Sequence, residues 1–454
     1  MEEDRLNRAG LYRTMWRWHM YAGLFVAPVL ILLAVTGGLY LYKNEIESLW
    51  YGDLVASSAG PSMPLSRQQT AVEAAFPGAE IRQVSLPPYE GRASEWRLQP
   101  ADGDSLTAFV DPATGAVNGS IASDFRLMKV LADIHGGDIV APVGGYIVEL
   151  AACWALVLLA TGIYLWWPRG RRGGILVPRL GSRGRQLLRD LHAVPAVWNA
   201  AIVAFLVLSG LPWSTFWGQQ LADLGTLSSV TAPSPNFESH VEPAHDSHAQ
   251  AAGRDVPWSI RHAAEAPHGH DYGLASARPP GLDDLMAIAG ANGIDRAGLR
   301  IFLPKAGEAG TIMLSYVPDA AQEQRTINLD PATGEITRNV GWNEYSPLAR
   351  VVEFGTMAHM GRQLGEPNRI LMLAGCILLV LTVALGVTMW WRRRPGAAAS
   401  AMQAVPGYRL GRGVIAIAVA LGLLFPLLGA SLVLIVAVEA VLAAVARPPR
   451  SASA

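Results

Sequence analysis

Four of the ten histidines stand at intervals that repeat. His135 precedes Trp166-Trp167 by 31 and 32 residues, and His359 precedes Trp390-Trp391 by the same two intervals. His19 precedes Thr36-Gly37 by 17 and 18 residues, and His192 precedes Ser209-Gly210 by the same. A neutral imidazole nitrogen is a common metal ligand, and two imidazoles facing each other across a bundle can hold haem iron axially. The competing reading is an amphipathic ring at a membrane boundary with its polar edge wet. Drift would not preserve two pairs at two offsets, which favours the ligand reading. Zinc would want a third or fourth ligand, and no Cys, Asp or Glu lies at suitable spacing. Haem also needs flat space, which Gly37, Gly38 and Gly210 would provide by letting a porphyrin approach the backbone. There is no C-x-x-C-H for covalent haem attachment.

The other six histidines, His240, His245, His248, His262, His268 and His270, are bunched among Pro, Ala, Ser, Glu and Asp. That composition reads as a flexible loop. Such a loop either collects copper, zinc or iron with modest affinity or is solvated with no fixed ligand geometry.

The four spaced histidines need elements to carry them. The chain is 51% hydrophobic and 16% charged, against about 25% charged in soluble domains. Its formal net charge of -1 gives no bulk basicity for nucleic acid. The two cysteines, Cys153 and Cys376, lie in long apolar runs and form no disulfide framework. Apolar stretches near 18–42, 146–167, 193–217 and 369–391 are each long enough to cross a hydrocarbon core of about 30 Å, which takes about 20 helical residues. A fifth region, Val414 to Val445, is interrupted by Pro426 and Gly429 and predicts a hairpin of two short spans, or a single kinked helix. Glu439 inside it is expected to face the bundle interior or a partner. The first span is too long, and its acidic flank wrong, for a cleaved signal peptide.

Arginines fix the expected orientation. Arg5, Arg8, Arg13 and Arg17 precede the first span, seven arginines from Arg169 to Arg189 fill the linker after the second, and Arg392 to Arg394 close the fourth. The positive-inside rule puts all three groups on the cytoplasmic side, with His19 and His192 near that face and His135 and His359 near the outer one. The organisation expected is residues 1–42, cytoplasmic N-terminus and first span; 43–133, first outside domain; 134–168, an interfacial histidine segment and second span; 169–191, Arg-rich cytoplasmic linker. It continues with 192–217, third span; 218–358, second outside domain with the His-rich loop 240–270; 359–394, interfacial histidine segment and fourth span; and 409–446, hairpin.

The two outside segments resemble each other. Leu65 to Phe76 has helical apolar spacing, and Glu95 to Gln99 and Thr107 to Val110 read as strands, the last running into Asp111-Pro112-Ala113-Thr114-Gly115. Leu282 to Ala291 is helical, and Leu299 to Leu303, Thr311 to Tyr316 and Thr326 to Leu329 read as strands, the last running into Asp330-Pro331-Ala332-Thr333-Gly334. Proline fixes φ, the Asp and Thr side chains bond local backbone, and Gly accepts positive φ, so each pentapeptide predicts a turn. Two in matching positions indicate duplication. The fold class expected is therefore an α-helical integral membrane protein: a four-helix core bundle from a duplicated span–outside domain–span unit, a C-terminal hydrophobic hairpin and two small α+β domains.

The Trp16-Arg17-Trp18-His19 start, the Thr36-Gly37 that follows, the two Asp-Pro-Ala-Thr-Gly turns and the Gly162-Ile163-Tyr164-Leu165-Trp166-Trp167-Pro168-Arg169 end resemble the PepSY-associated transmembrane family over about residues 11 to 396. That family includes iron-regulated inner-membrane proteins and ferrisiderophore reductases of Gram-negative bacteria. The resemblance implies periplasmic PepSY-like domains and two b-type haems held by paired histidines, His19 with His192 and His135 with His359. It implies outward electron transfer to a ferric siderophore or other ferric chelate, with release of Fe(II). Arg17, Arg13 and Arg189 then become candidates for haem propionates, which suit guanidinium forks, although they are equally the positive-inside charges of any membrane protein. Trp166, Trp167, Trp390 and Trp391 fit an aromatic belt.

The chain departs from the simplest family pattern in its hydrophobic tail and its His-rich loop. No G-x-G-x-x-G follows a strand, so the electron donor is expected to be a separate cytoplasmic reductase or membrane quinol. The partners expected are that donor, the ferric complex and membrane lipids. Two other classes compete: a non-enzymatic membrane sensor or protease-regulating protein, which would bind no haem, and a metal-uptake accessory using the His-rich loop, which would bind metal without His19 and His192.

Overall fold

The computed structural model describes residues 2–169, 173–228, 279–294, 297–305, 310–392 and 411–445. The His-rich loop, His240 to His270, lies outside the described residues, as do Arg171, Arg172, Arg393, Arg394, Arg409, Arg447 and Arg450. The chain divides into a helical unit (Met1–Val35, Ile134–Phe216, Ala374–Ala454) and a sheet unit (Thr36–Asp133, Trp217–Leu373).

Among the described residues, four helices are long and apolar enough to cross a membrane: the Ala9–Tyr40 part of α1 (Glu2–Tyr40), α5 (Val143–Trp166), α6 (Arg185–Gly210, continued to Trp213) and, near the end, Glu366–Trp391. They begin earlier than apolar counting suggests. In particular, helix covers 185–191, the last seven residues assigned to the Arg-rich linker. Within the helical unit, Asn199 of α6 is buried and donates Nδ2 to the Gly375 carbonyl at 2.9 Å. A Cβ on Gly375 would fall 2.6 Å from Ile202, so only glycine lets the two backbones approach this closely.

Beyond the fourth span the chain forms the expected hairpin. Two helices, Arg412–Leu424 and Pro426–Val445, pack with Gly422 against Gly429, where a Cβ would come within 3.1 Å of Gly429 Cα. The first arm has 13 residues and rises about 20 Å, short of the roughly 30 Å core. The second arm seats on α5, with the Trp154 indole donating to Ser431 Oγ at 3.2 Å, and Glu439 is exposed rather than turned into the bundle.

In the sheet unit the two expected α+β segments share one sheet. Helix α2 (Lys43–Tyr51) and helix α3 (Leu65–Ala75) precede strands β1 (Glu80–Ser85), β2 (Ser94–Gln99), β3 (Leu106–Val110) and β4 (Val117–Ala122). After α4 (Leu127–Gly136), α5, α6 and α7 (Thr215–Ser228), the pattern recurs: α8 (Leu282–Ala291), then β5 (Leu299–Phe302), β6 (Ile312–Tyr316), β7 (Arg325–Leu329) and β8 (Ile336–Gly341). All eight strands form one antiparallel sheet in the order β4-β3-β2-β1-β5-β6-β7-β8. Its seam is β1 on β5, where Val84 faces Ile301 and Ser85 faces Arg300. Left apart, both strands would be open edges that template association, and pairing removes them. One core spans the seam: Leu65 and Val72 of α3, Leu282, Leu285 and Ala289 of α8, and Trp96, Leu98, Ile301, Leu314 and Ile327 of the sheet.

The two pentapeptide turns are superimposable in their bonding. Asp111 Oδ1 accepts from Ala113 N at 2.9 Å and Asp330 Oδ1 from Ala332 N at 2.8 Å, while Gly115 and Gly334 have φ of 74° and 73°. Each joins the third strand of its half to the fourth.

Candidate functional site

The helical unit brings His19 of α1 and His192 of α6 together. Their ring centres are 6.3 Å apart and the ring planes cross at 82°. Both Nδ1 atoms are engaged by a neighbouring helix. His192 Nδ1 lies 2.8 Å from the Thr382 carbonyl oxygen, which only accepts, so this nitrogen carries the proton. His19 Nδ1 lies 2.9 Å from Thr161 Oγ1, whose own hydroxyl proton goes to the Val157 carbonyl at 2.7 Å, so here too Nδ1–H donates. The partner chemistry therefore assigns one tautomer to both rings. Each keeps its lone pair on Nε2, with Nδ1–H fixing the ring, the arrangement of metal-ligating histidines.

Glycine shapes the same site. A Cβ on Gly162 of α5 would lie 3.1 Å from His19 Cε1, and one on Gly386, in the fourth spanning helix (α10, Glu366–Trp391), 3.3 Å from His192 Cε1. Each imidazole thus lies against a bare stretch of helix backbone. Both glycines stand four residues before a Trp-Trp pair, a repeated Gly-x-x-x-Trp-Trp. That repeat was readable in the sequence, yet nothing in it said that a histidine would fill the space.

Arginine placement is mixed. Arg17, two residues before His19, has a buried Nε without a hydrogen-bond partner among the described residues. Arg189 is already engaged, its Nη2 2.8 Å from Asp190 Oδ1. Asp190, only 1% exposed and two residues before His192, is also held by Arg179. Asp190, which sequence spacing did not single out, engages Arg189 through Nε and Nη2. Arg13 is exposed.

His135 and His359 each stand in the last turns of a short amphipathic helix, α4 and α9 (Pro347–His359), and both are half-buried. Two residues on, Gly137 and Gly361 have φ of 87° and 71°, so only glycine turns the chain there toward the next span without strain. Ser346 caps α9, accepting from Ala349 N at 3.1 Å. Arg126, immediately before α4, bridges Glu47 of α2 and Glu95 of β2 at 2.7 and 2.6 Å. Burial opposes the charge on Glu95, but Arg126, then Lys43 and Arg92, hold its carboxyl well below the usual carboxylate range.

The residues around His19 and His192 would fit a haem. Two metal–imidazole bonds of about 2.0–2.1 Å and the half-widths of two five-membered rings span about 6 Å, in keeping with the measured separation. The Nε2 lone pairs, the glycine cradle and the orphaned Arg17 Nε suit a flat macrocycle that carries carboxylates. Among the described residues, no group of three or more His, Cys, Asp or Glu is placed to hold a metal ion without such a macrocycle.

The model of the PepSY-associated TM region matches residues 16–393. The chain belongs to the PepSY-associated transmembrane family. No curated protein matches it. All four spaced histidines, both turns and the whole eight-stranded sheet fall inside the PepSY-associated match, and the hairpin from Arg412 falls beyond it.

Proposed function

We propose that this PepSY-associated membrane protein is a haem-dependent oxidoreductase of the bacterial inner membrane. Its N-terminus is cytoplasmic and its sheet unit, a duplicated pair of PepSY-like halves, is periplasmic. It passes electrons outward to a ferric siderophore or other ferric chelate. The observation that carries this reading is the His19–His192 pair, with both Nδ1 protons spent on helix partners.

His19 and His192 would hold one b-type haem, and His135 and His359 a second. Bound haem iron supplies one-electron redox chemistry. The chain's own task is placement: Thr161 and the Thr382 carbonyl orient the two rings, Gly162 and Gly386 clear space beside them, and Arg17 offers a guanidinium to a propionate. At the other face, the Arg126 clamp and the Ser346 cap hold the helices that end in His135 and His359. A cytoplasmic reductase or membrane quinol supplies the electrons, and reduction loosens the chelate so that Fe(II) leaves.

The test is the haem-to-protein ratio of detergent-purified protein with oxidised and dithionite-reduced spectra, for the parent chain, His19→Ala and His359→Ala. About two low-spin haems, falling to about one in each variant, is the expected result. A colourless parent chain from a haem-sufficient host would sink the proposal and promote the membrane-sensor reading.

A further inference from the structure

The Arg-rich connection between α5 and α6 contains an apolar run, Gly173-Gly174-Ile175-Leu176-Val177-Pro178. Its backbone turns back onto the two helices it joins. The Trp166 indole donates to the Ile175 carbonyl at 3.0 Å, and the Trp198 indole to the Leu176 carbonyl at 3.1 Å. Trp198 lies 13 residues beyond the start of α6, some 20 Å along its axis, within the apolar part of that span. Because helical side chains lean toward the N-terminus, a carbonyl held there lies alongside the opening turns of α6 rather than beyond its end.

The far side of the loop is pinned as well. Arg179 grips Asp190 with Nε to Oδ2 at 2.7 Å and Nη2 to Oδ1 at 3.0 Å. Gly174, at a φ of 69°, lies so close that a Cβ would meet the Asp190 carboxylate. With its backbone tied inward, the loop turns aliphatic side chains outward: Leu176, Val177 and Leu180 are 53%, 72% and 73% exposed. Arg169, Arg183 and Arg185 are exposed beside them.

Irregular backbone survives at membrane depth only where its polar groups are satisfied by the protein. Two indole donors do this for the two carbonyls at the apolar apex. Outward aliphatics with arginines at the rim are what an interfacial segment uses to enter a leaflet of anionic lipid. We infer that residues 173–185 are a lipid-docking element: Leu176, Val177 and Leu180 insert into the leaflet at this end of the spans, and Arg183 and Arg185 take anionic lipid headgroups. This rests on the membrane spans and is independent of haem.

The test labels Val177→Cys and Leu180→Cys, one at a time, with an environment-sensitive nitrobenzoxadiazole in full-length protein. The protein is reconstituted in vesicles of phosphatidylcholine and phosphatidylglycerol. The parent chain, whose Cys153 and Cys376 are buried, gives the blank. Insertion predicts blue-shifted emission, protection from aqueous iodide and quenching by nitroxide-bearing lipid at both positions. Headgroup recognition predicts that a nitroxide on phosphatidylglycerol quenches several-fold more than the same nitroxide on phosphatidylcholine, because an arginine near an anionic surface is worth roughly fivefold in partitioning. Replacing both arginines, Arg183→Gln with Arg185→Gln, should abolish that preference while insertion persists. Free iodide access at both positions overturns insertion, and equal quenching by the two nitroxide lipids overturns headgroup recognition.

Discussion

A hydroxyl on α5 decides the chemistry of an imidazole on α1. Because Thr161 spends its proton on Val157, it can only accept from His19, and the ring is held with Nε2 unprotonated. Thr161→Val removes that acceptor and frees the ring to rotate. Loss of such an orienting partner typically costs ten- to a hundredfold in metal affinity. We therefore expect haem to leave the His19 site about that much more readily in competition with apomyoglobin, with Thr161→Ser restoring retention. Gly162→Val should lower occupancy of the same site through the clash beside His19 Cε1, read as a haem-to-protein ratio falling toward one. The histidines were visible in the sequence because their intervals repeat. Their partners were not, since Thr161 and the Thr382 carbonyl lie on other helices, and which helices become neighbours is a matter of packing. Asp190 was hidden for a related reason: a lone acid among arginines reads as solvated until the structure buries it.

Among the elements, the start of α4 is held by side chains from α2 and β2. Arg126 bonds two carboxylates, and Glu47 beneath it is fully buried, while Tyr51 Oη accepts from Leu127 N at 2.8 Å. Arg126→Ala would strand Glu47 with only Arg92 against it. Breaking a buried pair from one side costs about 3–5 kcal/mol, and a lowered denaturation midpoint of the sheet unit is the expected reading. The elements that were legible from sequence are those rich in apolar and β-branched residues, such as α3, β2, β3 and β7, the last two in spite of register shifts at Phe109/Val110 and Asn328/Leu329. Strand β1 escaped because four of its six residues, Glu80, Arg82, Gln83 and Ser85, are polar. Strands β4 and β8 escaped because they are edges, half exposed and carrying Gly119, Asn118 and Asn339 where buried β-branched residues would have marked a strand.

For the molecule as a whole, acid should act first on the sheet unit. Burial works against the charge on Asp111, but bonds from Ser58, Ala113 and Thr114 bring its carboxyl down to about 2, and Glu95 is held low by Arg126. Groups whose folded pKa is depressed stabilise fully above their unfolded value of roughly 4 and lose that contribution as pH falls toward the folded one. Melting temperature should therefore hold down to about pH 4 and drop between 4 and 2. Asp111→Asn should cost roughly 1–3 kcal/mol at neutral pH and flatten part of that acid limb. The seam gives a second expectation at this scale. A fragment of residues 43–133 exposes β1, and light scattering should find it self-associated rather than monomeric. The joining of the two α+β segments into one sheet was not legible because turns and helices announce each half, whereas nothing in either half announces the other. The seam also sets a clock. Ser85 and its partner Arg300 are some 215 residues apart in the chain, and ribosomes add about 5–20 residues per second. For roughly 10–40 s of every synthesis the newborn first half therefore waits with an open edge, the interval in which a holding chaperone would matter most.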